Sequence, residues 1–198
     1  VDEFGNENPN RYSLAEVKEG INYVLILSTT AGLWGYNIGD TVRFVSTSPY
    51  RLVVTGRVKH FISAFGEHVI GKEVETAMKQ ATTGTNIRIN EFTVAPQVAP
   101  KEGLPYHEWL VEFDDAPEDL SAFTKKLDAA MEEQNIYYKD LIQGNVLRQL
   151  VVTPVIRNGF QAYMKSIGKL GGQNKVPRLS NDRKIADALI NLNANGKQ

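Results

Sequence analysis

The chain has 198 residues, 42% of them hydrophobic and 23% charged, with a net charge of −1 and a pI near 6.4. That length holds one domain or one and a half, and the even charge excludes the clustered Lys and Arg that non-specific nucleic-acid or anionic-membrane binding requires. The absence of cysteine excludes disulfides, thiolate zinc sites and a cysteine nucleophile, and fits a reducing, cytoplasmic setting.

No apolar run approaches the ~20 residues that cross a bilayer. The N-terminus lacks a basic stretch followed by an apolar one, so neither a membrane nor a signal peptide is expected. The chain starts at Val1 with an acidic, Asn-rich stretch and reads as a piece of a longer polypeptide. "INYVLILSTT" is rich in branched aliphatics and reads as a buried strand. "AGLWGYNIGD" reads as a tight loop, and "TVRFVS" and "YRLVVTG" as two further strands around a Ser-Pro turn. "KHFISAFGEHVI" predicts a small hairpin turning at Phe65-Gly66-Glu67. "GKEVETAMKQATTG" follows as a helix with Val74, Ala77, Met78 and Ala81 on one face.

Two long strands come next, "NIRINEFTVAPQV" and "YHEWLVEFDD". In the second, Trp109, Val111 and Phe113 alternate with Leu110 and Glu112. "APEDLSAFTKKLDAAMEEQN" is the best helix, with a stripe of Leu120, Phe123, Leu127, Ala130 and Met131. A short helix over Tyr137 to Ile142 leads to a strand, "LRQLVVTPVI", and then to a helix begun by Asn158 as cap. "LGGQNKVPRLSND" reads as a polar, glycine-rich loop, and "DRKIADALINLN" as a closing helix. The fold class is α+β: a β-rich first segment, residues 1–58, then a small unit, residues 59–198, with a few-stranded, mainly antiparallel sheet backed by helices.

Each candidate site residue also has an ordinary reading. Asp40 is either a turn residue bonding nearby amides or a carboxylate at a loop tip able to accept ribose hydroxyls. Arg57 and Lys59 are either solvated cations at a strand end or two alternate residues facing one anion. Lys175 sits in a helix connection that either only links elements or presents its ammonium to a carboxylate or phosphate oxygen. Arg178, after Pro177, either orients that loop or binds phosphate. The three histidines lack metal-ligand spacing, and no metal site is predicted. Neither Gly-x-x-x-x-Gly-Lys-Ser/Thr nor Gly-x-Gly-x-x-Gly occurs.

Three of these motifs occur in one family's order. "YVLILSTTAGLWGYNIGD" resembles the strand, "T-x-x-A-G-L-[YW]" segment and "Y-R-x-G-D" loop of the auxin-responsive acyl acid–amido synthetases and their bacterial homologues. "TGRVKHFISAFGEHVIGKEVE" resembles the hinge region of the wider adenylate-forming superfamily, and "GGQNKVPRL" resembles the amido synthetases' "N-Q-Y-K-x-P-R" segment. The likeness runs from about Phe4 to Arg178. It implies a two-step ligase: ATP and a carboxylic acid form an acyl-adenylate with loss of pyrophosphate, and an amine, typically an amino acid, displaces AMP.

By motif position, the resemblance implies that Asp40 binds the ribose hydroxyls and Arg57 assists at ribose and phosphate. Tyr36 would wall the nucleotide pocket, Lys59 would mark the hinge, and Lys175 would reach the α-phosphate and acyl oxygen. The family's basic residue in "Y-R-x-G-D" is Asn37 here, and an Arg often found before the Tyr is Gly35. The family's Ser/Thr/Gly-rich phosphate loop and its adenine- and Mg2+-holding segment lie upstream of anything in this chain. The expected partner is therefore a large N-terminal domain in cis, and the chain alone is expected to be inactive. Two alternatives stand: an acyl-CoA ligase of the same superfamily, and a non-catalytic binding module, which Asn37 and Gly35 favour.

Overall fold

The computed structural model describes residues 8–57, 61–62, 64–171 and 174–195. An antiparallel meander comes first: β1 (Asn22–Leu27), β2 (Tyr36–Thr47) and β3 (Tyr50–Arg57). Val42 and Phe44 of β2 are buried, and Tyr12, Tyr23, Phe44 and Tyr50 form a run of edge-to-face rings across this sheet. β1 was expected to be buried, yet it is only half-covered and Ile26 is exposed, because it is the sheet's edge strand.

A short hairpin, β4 (Phe61–Ile62) with β5 (Val69–Ile70), then opens the second part, with Ile62 opposite Val69 as the hairpin reading required. α1 (Gly71–Thr82) begins directly after it. β6 (Arg88–Gln97) and β7 (Tyr106–Asp115) pair antiparallel. α2 (Leu120–Gln134) and α3 (Ile136–Gln143) lead to β8 (Val151–Val155), which pairs parallel with β7. α4 (Gly159–Ser166) and α5 (Lys184–Asn195) complete the chain.

β7 is the central strand, and helices cover both of its faces. Val74, Ala77, Met78, Phe123, Leu127 and Met131 of α1 and α2 pack with Phe92, Trp109 and Val111 on one side. Phe160, Met164, Ala186 and Leu189 of α4 and α5 pack with Ala95, Leu110 and Val155 on the other. A two-faced sheet explains a departure from the alternation reading of β7: Glu108 and Glu112 do not face water. Glu108 accepts from Thr153 Oγ1 at 2.5 Å and Arg183 Nη2 at 2.6 Å. Glu112 accepts from Asn90 Nδ2 at 2.7 Å, Asn158 N at 2.9 Å and Phe160 N at 3.2 Å.

The last two bonds correct the capping assignment for α4. Asn158 sits at the N-cap with φ of 60° and makes no side-chain cap bond; the Glu112 carboxylate satisfies the helix's first amides instead. Asp119, by contrast, caps α2 through Ala122 N at 3.0 Å. Among the described residues no helix is long and apolar enough to cross a membrane.

Candidate functional site

The segment expected as a loop up to Asp40 is already strand from Tyr36 onward. Asp40 is therefore a strand residue rather than a loop-tip residue, and its backbone partner on β3 is Arg57. The strand is not regular there. Asn37 pairs with Ile26 while Thr41 pairs with Val24, so β2 carries two more residues than β1 over this span. Gly39 absorbs the excess with φ of +81°, a conformation that L side chains resist. The Asn37 side chain supports it by accepting from Gly39 N at 2.8 Å. Asp40 is half-buried beyond this bulge, and the Tyr36 ring at the start of the strand is 52% exposed. Tyr36, Asp40 and the backbone of Arg57 thus lie at one end of the first sheet. Lys59 lies outside the described residues.

Lys175 and Arg178 belong to the other sheet. The loop after α4 was expected to be polar and free, but its second half is docked. Val94 and Leu179 form a parallel bridge, with Val94 N donating to Arg178 O at 2.9 Å and Ser180 N to Val94 O at 3.0 Å. Thr93 Oγ1 donates to Pro177 O at 2.7 Å, and Val176 and Leu179 are buried. Arg178 clamps this edge. Its Nη1 donates to the Glu91 carboxylate and to Phe92 O at 3.0 Å, its Nε reaches Glu75 Oε1 at 3.3 Å, and its guanidinium lies 4.5 Å from the Phe92 ring centroid. Both Arg178 hydrogen-bonding nitrogens therefore point at protein acceptors. Lys175, three residues earlier, is exposed, and among the described residues its ammonium has no acidic partner.

Sequence reasoning passed over a third cluster. His107 and Glu67 form a buried pair, with Nε2 2.8 Å from Oε1 and side-chain exposures of 1% and 0%. Phe65 N donates to the other carboxylate oxygen at 2.8 Å, and the His107 ring lies between the rings of Phe65 and Tyr138. Burial pushes the Glu67 carboxyl up, but the bond and charge of His107 with the amides of Glu67 and Phe65 outweigh it, holding the group below its ordinary value. His107 Nδ1 is buried without a hydrogen-bond partner among the described residues.

Asn135 ties this turn to α1. Its Nδ2 donates to Glu67 O at 3.0 Å and to Glu73 Oε2 at 3.1 Å, which also accepts from Ile70 N at 3.0 Å. The Glu73 carboxyl is raised by burial, against these bonds and the charge of Arg43 on β2. Tyr138 donates to Asp128 at 2.6 Å, and burial followed by that carboxylate's charge raises its phenol well above the usual range. A histidine thirteen residues before the nearest helix carries no local periodicity signal, so the pair was legible only through the fold.

The GH3 family C-terminal domain matches residues 72–184, more than half of the chain, and the GH3 family central domain matches residues 1–57. The chain belongs to the GH3 family. A curated GH3 relative, indole-3-acetic acid-amido synthetase GH3.10 of Arabidopsis thaliana, is 25% identical over 187 residues, covering 89% of this chain and 31% of the relative. Two solved structures share the fold at 19% identity: GH3.15 acyl acid amido synthetase, with a TM-score of 0.68 over 91% of this chain and 35% of that one, and AtGH3.15 acyl acid amido synthetase in complex with 2,4-DB, with a TM-score of 0.66 over 91% and 34%. The chain thus spans about a third of the length of these GH3 proteins.

Proposed function

We propose that this GH3 chain is the C-terminal portion of an ATP-dependent acyl acid–amido synthetase, with residues 59–198 acting as a lid on a larger adenylation domain to which residues 1–58 belong. The observation that carries the reading is Lys175: an exposed ammonium with no acidic partner among the described residues, on a loop whose root is fastened to β6 by Arg178. In the first half-reaction a carboxylate oxygen bonds to the α-phosphorus of ATP, and the bond to the bridging oxygen breaks with its electron pair leaving on pyrophosphate. Lys175 offsets the negative charge that builds on the phosphoryl and acyl oxygens. In the second, an amine nitrogen bonds to the acyl carbon, AMP leaves with the electron pair of the carbon–oxygen bond, and the nitrogen loses a proton to solvent. Withdrawal of Lys175 about Lys59 clears space for that amine.

Asp40 fits a ribose acceptor, being half-buried on the strand that carries the exposed Tyr36 ring and opposite the backbone of Arg57. Asn37 replaces the family's basic residue, but its bond to Gly39 N gives the position a use in shaping the bulge before Asp40. That bond gives Asn37 a structural use, while Gly35 remains the departure that favours a non-catalytic module. Arg178, engaged through Nε and Nη1 by Glu75, Glu91 and Phe92 O, serves as the orienting residue of the Lys175 loop. Among the described residues no cluster of three or more His, Asp or Glu could hold a metal ion.

The test is acid-dependent pyrophosphate release from ATP by the full-length polypeptide containing this chain. Lys175→Ala should lower kcat on the order of 10²–10³-fold, as loss of an electrostatic transition-state contact does. A full-length enzyme indifferent to that change would remove Lys175 from the mechanism, and one with no acid-dependent release would remove the ligase reading.

A further inference from the structure

Lys175 does not stand alone. It lines an open depression of about 250 Å³ between the β6 edge and the α4 end of the chain, and Lys169 lines it too. Phe160 and Met164 of α4 form its apolar floor, while Asn90 and Asn174 stand at its rim. Both rim amides are tethered, Asn90 Nδ2 to Glu112 Oε1 at 2.7 Å and Asn174 Nδ2 to Gly171 O at 3.4 Å.

The charge balance of this depression decides what it suits. Among the described lining residues the one acid is Glu91, and that carboxylate accepts from Arg178 Nη1 and, at 3.0 Å, from Phe92 N. Glu91 is thereby neutralised by a cation that does not line the depression. Among the described residues neither Lys169 nor Lys175 has an ion pair or a side-chain hydrogen bond. Two lysines without an acidic partner among the described residues thus line one depression with an apolar floor, an arrangement that favours an anionic ligand. A zwitterion gains little here, since no free carboxylate is left for its ammonium. A small polyanion gains from both lysines.

We propose that Lys169 is a second cation of the Lys175 site, and that the two lysines together bind the linked phosphates of a polyphosphate. The role of Lys175 in this inference rests on the ligase reading above, which supplies such a group as the tail of ATP and as released pyrophosphate. Lys169 acts by binding. It holds the leaving phosphates while Lys175 meets the oxygens at the reacting phosphorus.

The experiment is calorimetric titration of the 198-residue chain with inorganic pyrophosphate at low ionic strength, which needs no turnover. Lys169→Ala and Lys175→Ala should each weaken binding about fivefold, the effect of one unit charge near 4 Å in water, and Lys169→Arg should restore most of it. Lys125→Ala, which removes an exposed lysine on α2, should leave binding unchanged. Absence of pyrophosphate binding, an unaltered Lys169→Ala, an equal loss in Lys125→Ala, or malonate binding as tightly as pyrophosphate would each overturn the assignment. In the full-length enzyme, Lys169→Ala should raise KM for ATP more than it lowers kcat. Pyrophosphate binding that depends on Lys169, together with no acid-dependent release by the full-length enzyme, would support this site while overturning the ligase reading alone.

Discussion

Glu67→Ala is the most informative single perturbation of the fold, because its cost can be worked from contacts in hand. The change removes the partner of His107 Nε2 at 2.8 Å and the acceptor of Phe65 N at 2.8 Å, both at a site with essentially no solvent access. His107 would then keep two buried ring nitrogens without partners, since Nδ1 already has none among the described residues. Leaving buried polar groups without their partner costs about 1–3 kcal/mol each, more where the partner is charged. For the two groups that is a large share of the ~5–15 kcal/mol by which domains are stable, and for a chain of this size it lowers Tm by about 10 °C.

The pH dependence follows from the direction of the Glu67 shift. Its folded-state pKa lies below the ordinary 4.5, so its contribution is fully present above about that pH and is lost as pH falls through the folded value. The deficit of Glu67→Ala should accordingly be largest at neutral pH and should narrow on acidification below 4.5. Urea unfolding of wild type and variant, followed by far-UV circular dichroism at a series of pH values, measures both quantities. A deficit under ~1 kcal/mol at pH 7, or one that stays constant into the acid range, would refute the assignment of a buried, ionised Glu67 bonded to His107.

Three further substitutions probe the other devices. Arg178→Ala forfeits a charge-assisted bond worth ~1.5–3 kcal/mol and a cation–π contact worth ~0.5–1 kcal/mol, while the exposed Glu75 contact adds little; urea unfolding should read a loss of about 3 kcal/mol, and the same variant should loosen Lys175 and lower kcat in the full-length enzyme. Gly39→Ala forces a Cβ into φ of +81° and should cost ~1–2 kcal/mol; ATP titration should show weaker binding if the bulge aims Asp40, and unchanged binding would break that link. Gly159→Ala would bring its Cβ to 2.5 Å from Val155 Cγ1, so overpacking should cost ~1–3 kcal/mol in thermal unfolding, with no change in pyrophosphate binding.

The parts of the fold that the sequence made legible are those in which one element's pattern decides its own burial. The stripe Val74, Ala77, Met78, Ala81 on α1 is wholly buried, and so is the α2 stripe from Phe123 to Met131, with Leu120 at its start partly buried, because a helix with one apolar face has one way to pack. β7 was less legible. Its acids match the solvent face of a strand covered on one side, and only the arrival of α4 and α5, more than forty residues later, buries Glu108 and Glu112. The same dependence on distant partners hid the Glu67–His107 pair, forty residues apart, and the docking of Leu179 on Val94. Motif order singled out Asp40, Arg57, Lys175 and Arg178 as candidates, but not the contacts of Arg178 with Glu91, Glu75 and Phe92 O or the bulge that Asn37 sustains.

The docked loop also changes how Lys175 can move. A free glycine-rich loop could carry its ammonium away from a ligand by flapping, with the sheet at rest. Here the chain from Val176 to Ser180 is held by two backbone bonds to Val94, a side-chain bond from Thr93 and the Arg178 clamp. Releasing it means exposing Val176 and Leu179 and unpairing Glu91, costs that together exceed what a single ligand contact returns. On the ligase reading, Lys175 therefore travels with the β6–β7–β8 sheet as one body, and the freedom needed between half-reactions has to come from the connection after Arg57. A disulfide or other cross-link fastening the loop root to β6 should then leave both half-reactions intact. Shortening the 58–60 connection by one residue should slow amide formation more than adenylation. If the cross-link alone stopped the second step, the loop rather than the sheet would be the moving part.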